Sequence, residues 1–254
     1  MRDYFIFRLH GALASWGDIA VGDIRPSYRC PSKSAVIGLI AAALGIERQE
    51  QIKQSELFKL FFSLRIDALG RPIEDYHTVQ TPSDMAIKYD RAKDYWTRLD
   101  EIEAINWRII QTQSNAGAIQ SRRTYYCDAL YTIALCETIN QAIDWKILGL
   151  KQFSDLINAL QNPKLSLYLG RKSCPLSLPL EPQIHTGENF KEALQKTTFK
   201  FEDELKPLTK RVKQYQYYSE EKLDNSQMKL TRRDQPVNKT TWQFSERDEY
   251  YFVE

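Results

Sequence analysis

An α+β fold is predicted by three features of the chain. A short apolar strand pattern opens it, an almost wholly apolar helix follows, and two further strand patterns are joined by a glycine turn. Tyr4 to Leu9, Tyr-Phe-Ile-Phe-Arg-Leu, is aromatic and apolar and stops at Gly11, the mark of a mostly buried first strand. A loop then runs to Pro31. Ser32 is a good N-cap, Ser34 to Leu44 is rich in Ala, Leu and Ile, and Gly45 suits the left-handed position past a helix end. Gly38 inside that helix costs about 1 kcal/mol relative to alanine, which points to close backbone packing against a sheet. Leu60 to Ala68 predicts a second strand, Gly70-Arg-Pro a turn, and Ile73 to Val79 a third strand. Strand, helix, strand, strand is the opening half of a ferredoxin-like domain.

From Thr81 to Gln120 the chain turns polar, with scattered aromatics and a Ser-Asn-Ala-Gly at 114 to 117, so it is expected to project as an insertion. Thr124 to Leu135 is a β-rich run. Leu148 to Leu160 has helical apolar spacing closed by Asn162-Pro163, and Leu165 to Leu169 predicts a short strand leading into Gly170-Arg-Lys-Ser-Cys-Pro. Further strands are expected at Thr197 to Phe201, Gln214 to Tyr218, Met228 to Thr231 and Tyr250 to Val253, making 197 to 254 a β-rich C-terminal extension. No repeat or linker interrupts this plan, so a single elaborated domain is expected over 1 to 254.

With 254 residues and 43% hydrophobic content the chain can bury its own core. Cys30, Cys127, Cys136 and Cys174 show neither zinc-site spacing nor the density of a disulfide scaffold, so reduced thiols and a cytoplasmic location are expected. No apolar run is long enough to cross a membrane, and charges at Arg2 and Asp3 do not fit a signal peptide. The net charge of +2 is uninformative alone, but residues 206 to 239 carry nine basic side chains against four acidic. Such a run is usually a solvated face.

Three constellations carry possible chemistry. Arg25, Ser27, Arg29, Ser32, Lys33 and Ser34 set cations and hydroxyls on a loop at a helix start, where free amides and the helix dipole attract phosphate. The plainer reading is that Ser32 only caps the helix while the arginines are solvated. The segment is not a nucleotide-triphosphate loop, because Ser32 stands where that motif has glycine before its lysine. Gly170-Arg171-Lys172-Ser173 could bring backbone and two cations to a ligand, or be a solvated turn. Arg122 and Arg123, followed by Tyr125 and Tyr126, could stack unpaired bases, or the tyrosines could face the core. His10, His77 and His185 have no metal-ligand spacing, and neither metal nor cofactor is expected. A metal-free ribonuclease would require Tyr76, His77 and Lys33 to converge.

A family resemblance rests on blocks spread over residues 4 to about 235: Tyr4 to Leu9 into Gly11, Trp16-Gly17, Arg25-Pro26, Pro31 with Ser34, Gly38-Leu39, Leu44-Gly45-Ile46, Asp75-Tyr-His-Thr-Val79, Tyr125 with Cys127-Asp128-Ala129, Leu169-Gly-Arg with Ser173-Cys-Pro-Leu176, and Arg233-Asp234. Together they resemble the type I-E branch of the Cas-five family, RAMP-superfamily proteins of the CRISPR Cascade complex. The resemblance implies an RRM-related ferredoxin-like domain with a thumb inserted over 81 to 122, acting as a non-catalytic cap. Such a cap holds the 5′ handle of the crRNA, ends the filament of backbone subunits (CasC), helps dock the large PAM-reading subunit (CasA) and meets target DNA only through the assembled complex. It carries handle contacts over to Arg25, Ser32, Lys33, Ser34, His77, Arg123, Arg171 and Lys172. The thumb is longer than the branch usually has, Lys33 replaces a family arginine and His10 fills a usually small position. Relatives that cleave precursor crRNA with a Tyr, His and Lys set keep an enzyme alternative open.

Overall fold

In chain order the elements are β1 (Arg2–His10), β2 (Leu13–Ala14), β3 (Trp16–Gly17), β4 (Ile24–Arg25), β5 (Ser27–Tyr28), α1 (Lys33–Leu44), α2 (Gln51–Phe58), β6 (Phe61–Ala68), β7 (Arg71–Thr81), β8 (Gly117–Cys127) and β9 (Leu130–Cys136). They continue with α3 (Asp155–Gln161), β10 (Gln183–Gly187), α4 (Phe190–Gln195), α5 (Glu202–Thr209), β11 (Gln216–Ser219), β12 (Met228–Asn238) and β13 (Gln243–Val253). The computed structural model describes residues 1–81, 117–137, 142–210, 212–238 and 243–254. Most of the expected thumb, at 82–116, lies outside the described residues, as do Arg211 and Lys239 of the basic C-terminal run.

Two compact units divide the chain. The first comprises Met1–Trp16, Ser27–Ile73 and Tyr125–Glu254 and contains an antiparallel seven-stranded sheet in the order β10-β1-β9-β6-β11-β13-β12. The sheet is covered on both faces, which is why Tyr4 to Leu9 of β1 is apolar at every position but Arg8. Phe5, Phe7 and Leu9 join Phe62, Leu64, Ile133 and Leu135 against Val36, Ile37 and Ile40 of α1 and Leu156 and Leu160 of α3. Tyr4, Ile6, Ala134 and Cys136 pack instead with Phe190, Ala193 and Leu194 of α4. The second unit comprises Gly17–Pro26 and Glu74–Thr124, where β4 lies parallel to β8.

Helix α1 starts and stops where local chemistry requires. Ser32 is extended and its side chain accepts from the Ala35 amide, while Gly45 at φ 71° returns its amide to Ala41 and Ala42. Gly38 does not pack closely: it is exposed, and a Cβ there would meet nothing within 4 Å. The strand expected at Ile73 to Val79 forms inside β7 but pairs with β8 and stays out of the large sheet. β9 takes the place beside β1 and β6, because all seven of its side chains are buried whereas β7 is largely exposed.

Other expectations shift for local reasons. The run Thr124 to Leu135 is cut by a turn in which Asp128 has φ 56°. Only the end of Leu148 to Leu160 is helical, since Gly149 sits at φ 74° and the Asp155 carboxylate accepts from the Lys151 and Gln152 amides to form a turn first. Leu165 to Leu169 makes no strand, only a Tyr168–Pro175 bridge, and Thr197 to Phe201 is a turn leading into α5.

Candidate nucleic-acid interface

In the first unit the loop before α1 uses its hydroxyls on itself. Ser27 Oγ accepts from the Trp16 amide at 2.8 Å and donates to the Tyr28 carbonyl at 2.9 Å. Ser32 Oγ accepts from the Ala35 amide at 3.2 Å and lies 2.9 Å from Ser34 Oγ. Arg29 is exposed, and its carbonyl accepts from Tyr131 Oη at 2.7 Å, which anchors the loop to the sheet beneath.

Lys33 is a correction to the expected phosphate contacts. It is 3% exposed, and its ammonium donates to both Glu220 oxygens at 3.0 Å. Glu220 also accepts from the Phe62 amide at 2.8 Å. Burial pulls the Lys33 pKa below the ordinary lysine range, with Glu220 opposing. The side chain is therefore held inside the protein and presents no donor to a solvent-borne phosphate. A second residue that the sequence did not single out is Arg232, 5.2 Å over the Tyr28 ring and 5.7 Å from Tyr218, with Nε on Glu249 at 2.7 Å. Burial opposes its charge and Glu249 more than restores it, so its pKa is raised.

Gly170, at φ 84°, is required by the protein's own backbone: a Cβ would lie 1.9 Å from the Ser15 carbonyl oxygen. The turn it opens is closed by the Cys174 amide on the Arg171 carbonyl at 2.9 Å, leaving Lys172 exposed. Arg171 lies 5.6 Å over the Tyr125 ring. Tyr125 and Tyr126 are buried members of the main core, so they are strand residues facing inward and offer no open stacking face.

The second unit gathers another cationic group. Arg25 lies in register with Arg123, and Ile24 with Arg122. Arg122 is exposed, 5.8 Å over the Tyr76 ring and 3.9 Å from Glu74. Arg25 is exposed and donates to the Gly22 and Ile24 carbonyls. Arg123 is half-buried with its Nε lacking a partner, and the exposed His77 places Nδ1 2.9 Å from Asp75. Planar cations beside an exposed aromatic ring can hold phosphates and stack a base. Tyr76 and His77 of the ribonuclease set belong to this unit, whereas Lys33 of the first is occupied by Glu220. Among the described residues no three His, Cys, Asp or Glu side chains are grouped to hold a metal ion, and no helix is long and apolar enough to cross a membrane.

The class is thus a mixed α/β sheet protein with exposed arginines and an open arginine–tyrosine pair, Arg122 over Tyr76. Residues 4–249 match the family described as "CRISPR-associated protein (Cas_Cas5)", and the chain belongs to that family. It is 31% identical over 251 residues to the "CRISPR system Cascade subunit CasD" of Escherichia coli (strain K12), covering 98% of this chain and 96% of that one. A chain of a "CRISPR RNA-guided surveillance complex" has the same fold at TM-score 0.57 and 19% identity, over 99% of this chain and 89% of the other. A solved "Cas protein" superposes at TM-score 0.53 with 21% identity, over 98% and 94% of the two chains.

Proposed function

We propose that the chain is a non-catalytic Cascade subunit working in the cytoplasm: it binds and caps the 5′ handle of the crRNA, terminates the backbone filament of CasC subunits and helps dock the large subunit CasA. The observation that carries this reading is similarity to CasD along nearly the whole of both chains. The strand order β10-β1-β9-β6, with α1 and α3 in the two crossovers, supports an RRM-related ferredoxin-like core of the RAMP type. The chain between β7 and β8 would then be the inserted thumb.

The RNA contacts we assign are Arg29, Arg171 and Lys172 with the Ser32 helix start in one unit, and Arg25, Arg122, Arg123 and Tyr76 in the other. Phosphate contacts fix register, and the arginine beside Tyr76 gives a splayed base a stacking surface. The pairing of Lys33 with Glu220 supports the non-catalytic side of the proposal, since it engages one of the three groups a Tyr, His and Lys ribonuclease would need. The test is incubation in EDTA with a labelled repeat-containing precursor RNA and, separately, with a mature guide carrying its 5′ handle. Handle-dependent binding weakened by Arg122→Glu or Arg171→Glu, without cleavage, is expected. Site-specific cleavage abolished by His77→Ala would overturn the proposal in favour of the nuclease.

A further inference from the structure

A six-membered charge network ties the C-terminal hairpin to the loop before α1. Arg247 is at its centre, with Nε and Nη2 on Asp234 at 2.6 and 3.0 Å, Nη2 on Glu249 at 2.9 Å and Nε 3.8 Å from Glu220. Two arms leave this centre. Through Glu220 it reaches Lys33, the first residue of α1, and through Glu249 it reaches Arg232, which covers Tyr28. Residue 28 is therefore covered directly from the hairpin and residue 33 is held through Glu220, just past β11, by the same network, with Arg29 exposed between them.

Three cations and three anions, nearly all buried, are a poor way to gain stability, because desolvation offsets most of the attraction and an apolar replacement is often as stable. What such a network supplies is geometry, since its members satisfy one another only in one arrangement. We infer that the β12–β13 hairpin, together with Glu220 just past β11, is a clamp that holds residues 28–33 in the conformation that receives the crRNA handle, with Lys33 and Arg232 as positioning residues that do not touch the RNA. The functional half of this inference rests on the handle-binding reading above.

Hydrogen–deuterium exchange on the full chain tests the clamp, and binding of a mature guide with and without its 5′ handle tests its purpose. Lys33→Met and Arg232→Met should each speed exchange of the amides at 28–33 by about tenfold or more, with the amides of β9 unchanged, and weaken handle-dependent binding by about tenfold. Lys33→Arg, which keeps the charge, should stay close to the parent. Unchanged exchange at 28–33, or a rise equally large in β9, overturns the clamp as a local device. Faster loop exchange with undiminished handle binding overturns its role in binding. If the parent itself does not distinguish the two guides, the functional reading falls while the exchange result still decides the clamp.

Discussion

At the scale of single residues the sharpest constraint is Gly170. An added methyl would meet the Ser15 carbonyl at 1.9 Å, and the backbone is left-handed as well. Gly170→Ala should therefore cost about 2 kcal/mol or more and lower the melting temperature by several degrees, measured by thermal unfolding. An unchanged melting temperature would contradict the tight turn. The thiols give a second handle. Burial pushes Cys30 and Cys136 up from 9.0 to about 12, and Cys174 is raised as well. The native protein should accordingly release one equivalent with a thiol reagent near about pH 8, from the half-buried Cys127, and four only after unfolding. Because the folded state holds the Cys30 and Cys136 protons more tightly than the unfolded one, their contribution is complete below pH 9 and is lost as pH rises toward 12. The loss approaches about 1.4 kcal/mol per pH unit for each thiol. Urea midpoints should be flat near neutrality and fall in alkali, and Cys136→Ala should reduce that fall; an identical alkaline slope in the variant would refute the assignment.

At the scale of elements, α1 illustrates what local sequence can say. Its cap, its left-handed glycine and its apolar body are all written within fifteen residues, and each forms as read. Gly38 was misread because a helix-interior glycine has two explanations, close approach and simple tolerance, and only neighbours distinguish them. Since its Cβ position is open and exposed, Gly38→Ala should stabilise the protein by about 0.5–1 kcal/mol, seen as a higher denaturant midpoint; a loss would mean that the face is packed after all. Sheet membership was less legible for the same reason. Ile73 to Val79 and Thr124 to Leu135 both read as β-structure, but which one lies beside β1 depends on a pairing across 120 residues or more. The spacing of Leu148 to Leu160 was genuine only after Asp155, because an N-terminal turn and Gly149 take precedence over periodicity. Short α4 and α5 carry too few turns for a period to show.

At the scale of the whole molecule, charge has to be counted after pairing. Of the seven described cations in the basic run from 206 to 239, three are paired within the chain: Lys206 with Asp203, Lys229 with Asp248 and Arg232 with Glu249. Lys33 was read as a phosphate ligand because its partner, Glu220, is 187 residues away and nothing nearby marks it as paired. Arg25, Arg29, Arg122 and Lys172 are the legible part of the candidate site, being exposed on loops and strand surfaces as their sequence context implied. This division can be measured through salt. Each cation that neutralises a phosphate of a single strand steepens the dependence of log affinity on log salt by about 0.7. Lys172→Ala and Arg122→Ala should thus each weaken binding of a handle-bearing guide and lower that slope by roughly 0.7, and together by roughly twice as much. Lys206→Ala, which removes a cation of the same nominal charge already paired with Asp203, should leave the slope where it was. The reverse result, a slope set by Lys206 and indifferent to Lys172 and Arg122, would move the RNA to the C-terminal run and away from both the Arg171–Lys172 turn and the Arg122–Tyr76 surface.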